Sequence, residues 1–196
     1  MVDERLERWL DAVLSTPGLT AIRDRTEARR VLLDDALRGV EVVRRFEGGI
    51  VDVGSGGGTP GLPLAATLPE REVTLLESNG RKCEFLRRWE AAFPNLRVVE
   101  GRAEEQPVDA FGVAVAKALA SPPVAAEWCL ALVRPGGAAV LWVGPSADSS
   151  AVSRVSERLG GGPAEELGGL LVLPKLAATP AGFPRRPGVA RKRPLA

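Results

Sequence analysis

The sequence predicts an α/β fold in which helices cover both faces of a parallel sheet, with a helical extension at the N-terminus. Two features of the patterning support this. From residue 49 onwards, short apolar runs of strand length alternate with longer segments that suit helices, as expected for a parallel sheet. Before that point, apolar residues recur at helical spacing. With 196 residues, 45% hydrophobic and 26% charged, the chain can form a substantial core.

The N-terminal extension, residues 1–47, is predicted to contain two helices. The first apolar stripe ends at Pro17 and Gly18, and the second ends before Gly48 and Gly49, because proline and glycine terminate helices. The first stripe comprises Val2, Leu6, Trp9, Leu10, Val13 and Leu14, and the second comprises Val31, Leu32, Leu37, Val40, Val43 and Phe46. Both helices are expected to pack against the domain that follows.

The central domain, residues 48–182, is predicted to contain six strands that mostly alternate with helices. The strand-length runs are residues 50–53, 73–76, 97–99, 112–116, 138–143 and 170–173, and the helix-compatible segments include residues 80–92 and 122–133. A further helix is predicted at about residues 148–159, followed by a loop. Such alternation indicates a Rossmann-like sheet.

Composition excludes several kinds of chemistry. The chain has no histidine, which removes the usual general base near neutral pH, the Ser-His and Cys-His nucleophile pairs and the commonest metal ligand. Cys83 and Cys129 have neither a C-x-x-C spacing nor a histidine companion, so they are predicted to be buried, reduced thiols. A hydrolase is therefore a poor interpretation, and no metal site is predicted.

The termini and net charge give weaker indications. The N-terminus is charged, and the chain has no apolar run of the roughly 18 residues that a membrane span requires. Neither a signal peptide nor a membrane partner is predicted, and we expect a cytoplasmic protein. The net charge of +1 argues neither for nor against nucleic acid.

The segment IVDVGSGGGTPG, residues 50–61, places a glycine-rich turn directly behind the first predicted strand. Glycines allow a ligand to approach the backbone closely where a strand turns into a helix. The turn is therefore predicted to bind a nucleotide-like cofactor through Gly54, Ser55, Gly56 and Gly58.

Two acidic residues suggest which cofactor this is. The second strand, VTLLE, ends at Glu77, where a carboxylate can accept both hydroxyls of an adenosine ribose. Asp52 lies two residues before the first glycine of the turn, where an acid favours a cofactor with a cationic ammonium and sulfonium and no pyrophosphate. The RPGG run at residues 134–137 has a form seen in many class I methyltransferases. S-adenosyl-L-methionine is therefore predicted in preference to NAD, with Asp52 and Glu77 among its contacts.

From about residue 14 to residue 195, the order of motifs resembles the ribosomal RNA small-subunit methyltransferase G (GidB) family. The matching segments are DVGSGGGTPGLPLA, LLESNGRKCEFLRR, GRAEE, the basic FPRRPGVARKRPL and the N-terminal GLTAIRDRTEARRVLLDDAL. The resemblance implies a class I methyltransferase that uses S-adenosyl-L-methionine to methylate N7 of a guanine in 16S rRNA. It also implies small-subunit ribosomal RNA or a pre-ribosomal particle as the partner.

The resemblance assigns roles to further residues. Gly54 and Thr59 would line the cofactor, and Ala103 and Glu104 would flank its adenine. Lys117 occupies the position of a family arginine near the site of methyl transfer, which makes it the candidate catalytic residue and a further cofactor contact.

The chain departs from the family pattern at four positions that are expected to lie near the site. Lys117 replaces the arginine just described, Val31 replaces a histidine, Gly112 replaces an aspartate and Val143 replaces a lysine. A lysine keeps the charge of an arginine but not its planar, bidentate group. These departures leave open a non-catalytic homologue that binds RNA or the cofactor.

The basic tail, residues 183–196, is predicted to bind RNA. It contains Arg185, Arg186, Arg191, Lys192 and Arg193 and no acidic residue. Its prolines predict an extended conformation, which suits a chain that follows a phosphate backbone, and arginines can pair with phosphate bidentately. We expect the tail to contribute to RNA affinity while leaving cofactor affinity almost unchanged.

Alternative acceptors remain open from sequence. A small-molecule methyltransferase would not need the basic tail, and the SPP run at residues 121–123 weakly resembles a motif of amino-group methyltransferases. Guanine N7 carries an unprotonated lone pair, so its methylation needs no general base. Because the chain has no histidine, the transfer rate is expected to be nearly independent of pH between about 6 and 8.5.

Overall fold

The computed structural model describes residues 3–196, which form a seven-stranded sheet in the order β3-β2-β1-β4-β5-β7-β6. The strands are β1 (Ile50–Val53), β2 (Val73–Glu77), β3 (Leu96–Glu100), β4 (Phe111–Lys117), β5 (Val133–Trp142), β6 (Glu165–Leu167) and β7 (Leu170–Pro174). Strands β1 to β5 run parallel to their neighbours, whereas β7 is antiparallel to β5 and β6 is antiparallel to β7. The predicted Rossmann-like α/β fold is confirmed, but its sheet is mixed.

Several helices begin after a residue whose side chain satisfies a free backbone N–H group of the first turn. The helices are α1 (Glu4–Ser15), α2 (Arg25–Ala28), α3 (Asp35–Leu37), α4 (Val40–Arg44), α5 (Gly61–Thr67), α6 (Gly80–Arg87), α7 (Pro122–Leu132), α8 (Ser149–Arg158) and α9 (Val189–Lys192). The side chains of Asp3, Asn79 and Asp148 cap α1, α6 and α8 by accepting backbone N–H groups of the first turn.

The N-terminal residues form more elements than the two predicted helices. Helix α1 matches the first stripe, and Val2 lies outside the described residues. The second stripe is divided: a π-helical segment, Arg29–Asp34, joins α2 to α3, and α4 follows after Gly39. Periodicity alone could not show this division, because the elements α2, α3 and α4 have only three to five residues each. π-helical segments are frequent at functional sites.

The core has a layer on each side of the sheet. One layer packs α1, the π segment and α4 with α5 and α6 against β1, β2 and β4. The other layer packs α7 and α8 against the opposite face. The N-terminal helices therefore complete one of the two helical layers, and Trp9 and Leu10 at the centre of α1 are fully buried.

Strand β7 matches the strand predicted at residues 170–173, whereas β6, its hairpin partner, lies in a region that the sequence predicts as a loop. Leu167 pairs with Leu170, so the connection has only Gly168 and Gly169, both with positive φ (54° and 84°). A Gly-Gly pair with positive φ at both positions is typical of a two-residue hairpin turn. Since β6 has only three residues, it carries almost no alternation that could have predicted it.

The C-terminal tail folds back onto the domain, and the prediction that it is extended throughout is wrong. Residues Val189–Lys192 form α9, whose Ala190 is buried against the α7 side of the core. The guanidinium of Arg185 donates from Nε to Oε1 of Glu127 (2.7 Å) and from a second nitrogen to Oε2. Glu127 is only 1% exposed, and a buried carboxylate is strongly destabilising without a partner, so the ion pair holds Arg185 against the domain.

Within residues 3–196, no helix has the length and apolar character needed to cross a lipid bilayer.

Candidate active site

Two cavities lie at the carboxyl ends of the parallel strands, where α/β sheets bind their ligands. The cofactor cavity has a volume of about 230 Å³ and the acceptor cavity about 450 Å³. The cofactor cavity is lined by Val53, Gly54, Leu76, Ser78, Gly101, Arg102, Ala103, Glu104, Leu119, Trp128, Gly188 and Arg191. The acceptor cavity is lined by Asp35, Arg38, Lys117, Ala118, Ala120, Pro122, Trp142, Val143, Gly144, Ser146 and Ala147. The segment that follows β4 separates them.

The glycine-rich turn forms one wall of the cofactor cavity. Gly54 has φ +72°, and a Cβ at this position would overlap Leu119. Its N–H donates to the carbonyl oxygen of Leu76 at 2.7 Å. A side chain at residue 54 would therefore be strained and would also close the cavity.

Glu77 lies beside this turn at the carboxyl end of β2 and is 7% exposed. Its Oε2 accepts the N–H of Gly56 and its Oε1 accepts the N–H of Asn79, both at 2.9 Å. These two backbone donors fix the orientation of the carboxylate. Each carboxylate oxygen offers two acceptor sites, so one site on each oxygen has no partner. Glu77 itself is not among the residues that line the cofactor cavity, but its neighbours Leu76 and Ser78 are.

Asp52 lies beneath the turn and does not line either cavity. Its Oδ2 accepts the N–H of Gly61 at 3.0 Å, whereas its Oδ1 is buried without a partner. Burial raises the pKa of Asp52 to about 7, and the nearby charge of Glu77 adds to that rise. The pH-independent transfer rate stays a prediction, because Asp52 lines neither cavity.

Three other residues of the predicted cofactor set support the turn from behind. The hydroxyl of Ser55 donates to the carbonyl oxygen of Asp52 (2.9 Å), and the hydroxyl of Thr59 donates to that of Leu32 in the π segment (2.7 Å). Gly58 packs against Trp9 of α1. The turn is thus held between the sheet and the N-terminal helices.

The opposite wall of the cofactor cavity combines the Ala103–Glu105 turn with the tail. Ala103 and Glu104 line the cavity, as the family resemblance implies, and Glu104 accepts the N–H of Gly188 at 3.1 Å. Arg191 lies over the ring of Trp128 (5.2 Å to the centroid) and donates to the carbonyl oxygen of Leu119. No sequence motif indicated Leu119 or Trp128, because only the fold brings these residues to the cavity.

Lys117 lies in the acceptor cavity, at the end of β4, and not in the cofactor cavity. Its Nζ is 3.2 Å from Oδ2 of Asp35. The sequence did not single out Asp35, although it directly follows the LLD segment. Val143 lines the same cavity, and Val31 lines an adjoining groove with Asp35.

Gly112 does not lie near either cavity, so the expectation that all four departures cluster at the site is wrong. It lies at the amino end of β4, opposite the carboxyl ends that form the site. A Cβ at residue 112 would overlap the carbonyl oxygen of Glu47, which leaves no room for an aspartate.

Both cysteines are buried, as the sequence predicts. Burial raises the pKa of Cys83 and of Cys129. A thiol of raised pKa is a poor nucleophile, so neither side chain is equipped for covalent catalysis. Within residues 3–196, no three potential metal-ligating side chains come together.

The family follows from a comparison of the whole chain with known proteins. Residues 4–156 match the model of the GidB family, described as rRNA small subunit methyltransferase G. The chain belongs to the GidB family. A GidB relative from Moorella thermoacetica, named ribosomal RNA small subunit methyltransferase G, is 35% identical, with 91% of this chain and 82% of the relative aligned. A relative of the same name from Chloroflexus aggregans is 34% identical, with 97% and 89% aligned.

Solved structures resemble this GidB chain in fold. The antibiotic-resistance methyltransferase Kmr superposes with a TM-score of 0.55 at 17% identity, over 80% of this chain and 95% of Kmr. A candidate S-adenosyl-L-methionine-dependent methyltransferase of Methanococcus maripaludis also has a TM-score of 0.55, at 15% identity, over 79% of this chain and 91% of that protein. The GidB chain therefore has the fold of class I methyltransferases.

Proposed function

We propose that this GidB protein is an S-adenosyl-L-methionine-dependent methyltransferase that modifies N7 of a guanine in 16S ribosomal RNA. The observation that carries the proposal is the oriented carboxylate of Glu77 beside the glycine-rich turn, in a chain that belongs to the GidB family. We also propose that the substrate is the RNA or a pre-ribosomal particle, which would place the protein in the cytoplasm.

The residues around the cofactor cavity fit S-adenosyl-L-methionine. Glu77 would accept the ribose hydroxyls, and Ala103 and Leu76 offer an apolar surface to the adenine. The indole N–H of Trp128 is buried without a partner in the same wall, and so can donate to the ligand.

The chemistry proposed for N7 requires little from the protein beyond positioning. When bound, the cofactor would supply a sulfonium methyl group to the N7 lone pair and would leave as a neutral thioether. No proton has to leave N7, which agrees with a site that has no histidine and no exposed thiol. Holding the reacting atoms in line can supply about 7–11 kcal/mol of the barrier. Lys117 would orient the base, and it would not act as an acid or a base.

Mapping the RNA tests the proposal as a whole. Small-subunit rRNA from cells that lack the protein is expected to lose one 7-methylguanine, which returns when the intact gene is supplied. An unchanged map would contradict the proposal and favour a binding protein or a small-molecule methyltransferase.

The domain limits at residues 47/48 and 182/183 are also part of the proposal. The helical extension and the tail pack into the same hydrophobic cores as the central domain.

The substitution Glu77→Gln is expected to weaken binding of S-adenosyl-L-methionine by roughly 10- to 100-fold, equivalent to about 1.5–3 kcal/mol of charge-assisted hydrogen bonding. The amide would place an NH₂ group against a backbone N–H, of Gly56 or of Asn79, and so lose one acceptor. Calorimetric titration measures the change.

Glu100→Gln is the matched control. Glu100 pairs with Glu77 in the register of β2 and β3 but is about half exposed and contacts Arg87. Its substitution should leave cofactor affinity unchanged. Equal affinities for the Glu77 variant and the control would remove the ribose assignment.

Arg191→Ala is expected to lower affinity for the cofactor several-fold, because Arg191 lines the cofactor cavity and its contact with the Trp128 ring, of about 0.5–1 kcal/mol, holds that wall in place. This revises the expectation that the tail affects RNA alone, because Arg191 and Gly188 line the cofactor cavity. Arg193→Ala provides the contrast: Arg193 is exposed and does not line the cavity, so only RNA affinity and its salt dependence should fall.

Titrations with cofactor, and with small-subunit rRNA at several salt concentrations, separate the two roles. If Arg191→Ala and Arg193→Ala change only RNA binding, the tail does not contribute to the cofactor site. Arg185 is a poor choice for this test, because its removal would leave the buried Glu127 unpaired.

A further inference from the structure

The acceptor cavity contains a charged pair whose role the family comparison does not assign. Nζ of Lys117 lies 3.2 Å from Oδ2 of Asp35, and the side chains are only 14% and 26% exposed. The backbone of Asp35 is fixed as well, because its carbonyl oxygen accepts the indole N–H of Trp142 at 2.8 Å. The π segment ends immediately before Asp35. The pair is therefore held in a fixed position inside a cavity of about 450 Å³.

We propose that this pair recognises the Watson–Crick edge of the acceptor guanine, with Lys117 donating to O6 and Asp35 accepting from N1–H and the N2 amino group. The inference rests on the proposed function and identifies Asp35 as the residue that determines base specificity.

Hydrogen-bonding complementarity supports the proposal. The Watson–Crick edge of guanine presents an acceptor, a donor and a donor in sequence, and an ammonium beside a carboxylate presents a donor and two acceptors. Asp35 already binds Arg38 through Oδ1 and Lys117 through Oδ2, but its carboxylate has about four acceptor sites, so two remain. Adenine has an amino group where guanine has O6, and it would be rejected by Lys117.

The orientation leaves the reacting atom free. N7 belongs to the five-membered ring, away from the edge that the pair would bind. A base held by Lys117 and Asp35 can thus expose N7 towards the neighbouring cofactor cavity, across the segment that follows β4. Recognition and reaction would use different edges of the same base.

Charge gives a second reason for a carboxylate in this cavity. Methylation of N7 makes the purine cationic, and the ammonium of Lys117 alone would oppose the charge that develops. Asp35 lies within 3.2 Å of that ammonium and also binds Arg38, so its carboxylate partly offsets the two cationic side chains of the cavity. The charge that develops on the purine is therefore opposed less than it would be beside Lys117 and Arg38 alone.

Nucleotide binding tests the inference without requiring methyl transfer. The protein is loaded with S-adenosylhomocysteine and titrated calorimetrically with guanosine, inosine and adenosine 5′-monophosphates. Inosine lacks the N2 amino group, so wild type should bind the guanosine nucleotide roughly tenfold more tightly than the inosine nucleotide. Asp35→Asn should bring this ratio close to one, whereas Lys117→Met should weaken both nucleotides alike, since both carry O6.

Asp34→Asn is the matched control, because Asp34 is the adjacent carboxylate but does not line the acceptor cavity. It should keep the wild-type ratio, and unchanged binding of S-adenosylhomocysteine would show that each variant is folded. A wild-type ratio in Asp35→Asn, or no nucleotide binding by the wild-type protein, would overturn the inference. Selective guanosine binding in a protein that leaves rRNA unmethylated would instead refute the proposed function alone.

Discussion

Methyl transfer is expected to fall to background on small-subunit rRNA in which every guanine is replaced by 7-deazaguanine. The substitution replaces N7 by a C–H group and removes the lone pair that would attack the sulfonium methyl. N7 needs no such help, whereas carbon methylation usually needs a thiol nucleophile, and both thiols are buried. Incorporation of label from S-adenosyl-L-methionine measures the loss, on the transcript and on subunits reconstituted from it.

A transcript made with 7-deazaadenine is the control for this experiment. It carries the same atomic change on the other purine, leaves the Watson–Crick edge of guanine intact and should be methylated like the unmodified RNA. Methylation of the 7-deazaguanine transcript would show that the acceptor is an exocyclic amine, a carbon or a ribose hydroxyl. Lys117 would then need a catalytic role other than positioning.

The central fold could be predicted from sequence because its strands are buried on both faces. Such strands consist of continuous apolar runs, and Ile50–Val53 and Val73–Glu77 were placed to within one residue. The antiparallel pair β6 and β7 was harder. The sequence located β7, but its direction depends on the hairpin at Gly168 and Gly169, whose signal is only two residues long.

A residue of the cofactor cavity could be predicted where it belongs to a local motif, as for Gly54 in the glycine-rich turn. It could not be predicted where distant segments meet. Arg191 and Trp128 are 63 positions apart in the chain, yet the pairing of Arg185 with the buried Glu127 brings the tail to α7. The positive charges of the tail indicate a polyanion partner, but they do not show which of the arginines the fold itself uses.

The acceptor cavity illustrates a further limit. Lys117 was identified through the family resemblance, but its partner Asp35 lies 82 positions earlier, in a helix that no local pattern links to β4. Gly112 shows the opposite error, in which a residue expected at the site lies elsewhere. The glycine is required there because the backbone of Glu47 approaches it closely at the amino end of β4.

Asp52 is expected to make the folded state less stable as the pH rises from about 5 to 8, and Asp52→Asn should abolish that part of the pH dependence. Burial raises the pKa of Asp52 from 3.8 to about 7. Between these two values the unfolded chain has lost the proton while the folded protein retains it, so the free energy of unfolding falls with pH. This loss of unfolding free energy is absent below the pKa of Asp52 in the unfolded chain. It is complete above the pKa of Asp52 in the folded protein, where it amounts to roughly 4 kcal/mol.

Urea denaturation of both proteins at a series of pH values measures this slope. The window from about pH 5 to 8 isolates Asp52 from groups such as Asp3, whose pKa is lowered by its hydrogen bond with Arg5 and which is ionised in both states there. The readout is the slope and not the absolute stability, because the buried amide of the variant would itself lack a partner for its NH₂ group. Asp34→Asn, at a side chain that is 53% exposed, should follow the wild-type curve. Parallel curves for wild type and Asp52→Asn would mean that Asp52 is ionised throughout this range, and that the folded protein supplies its Oδ1 with a donor such as an enclosed water.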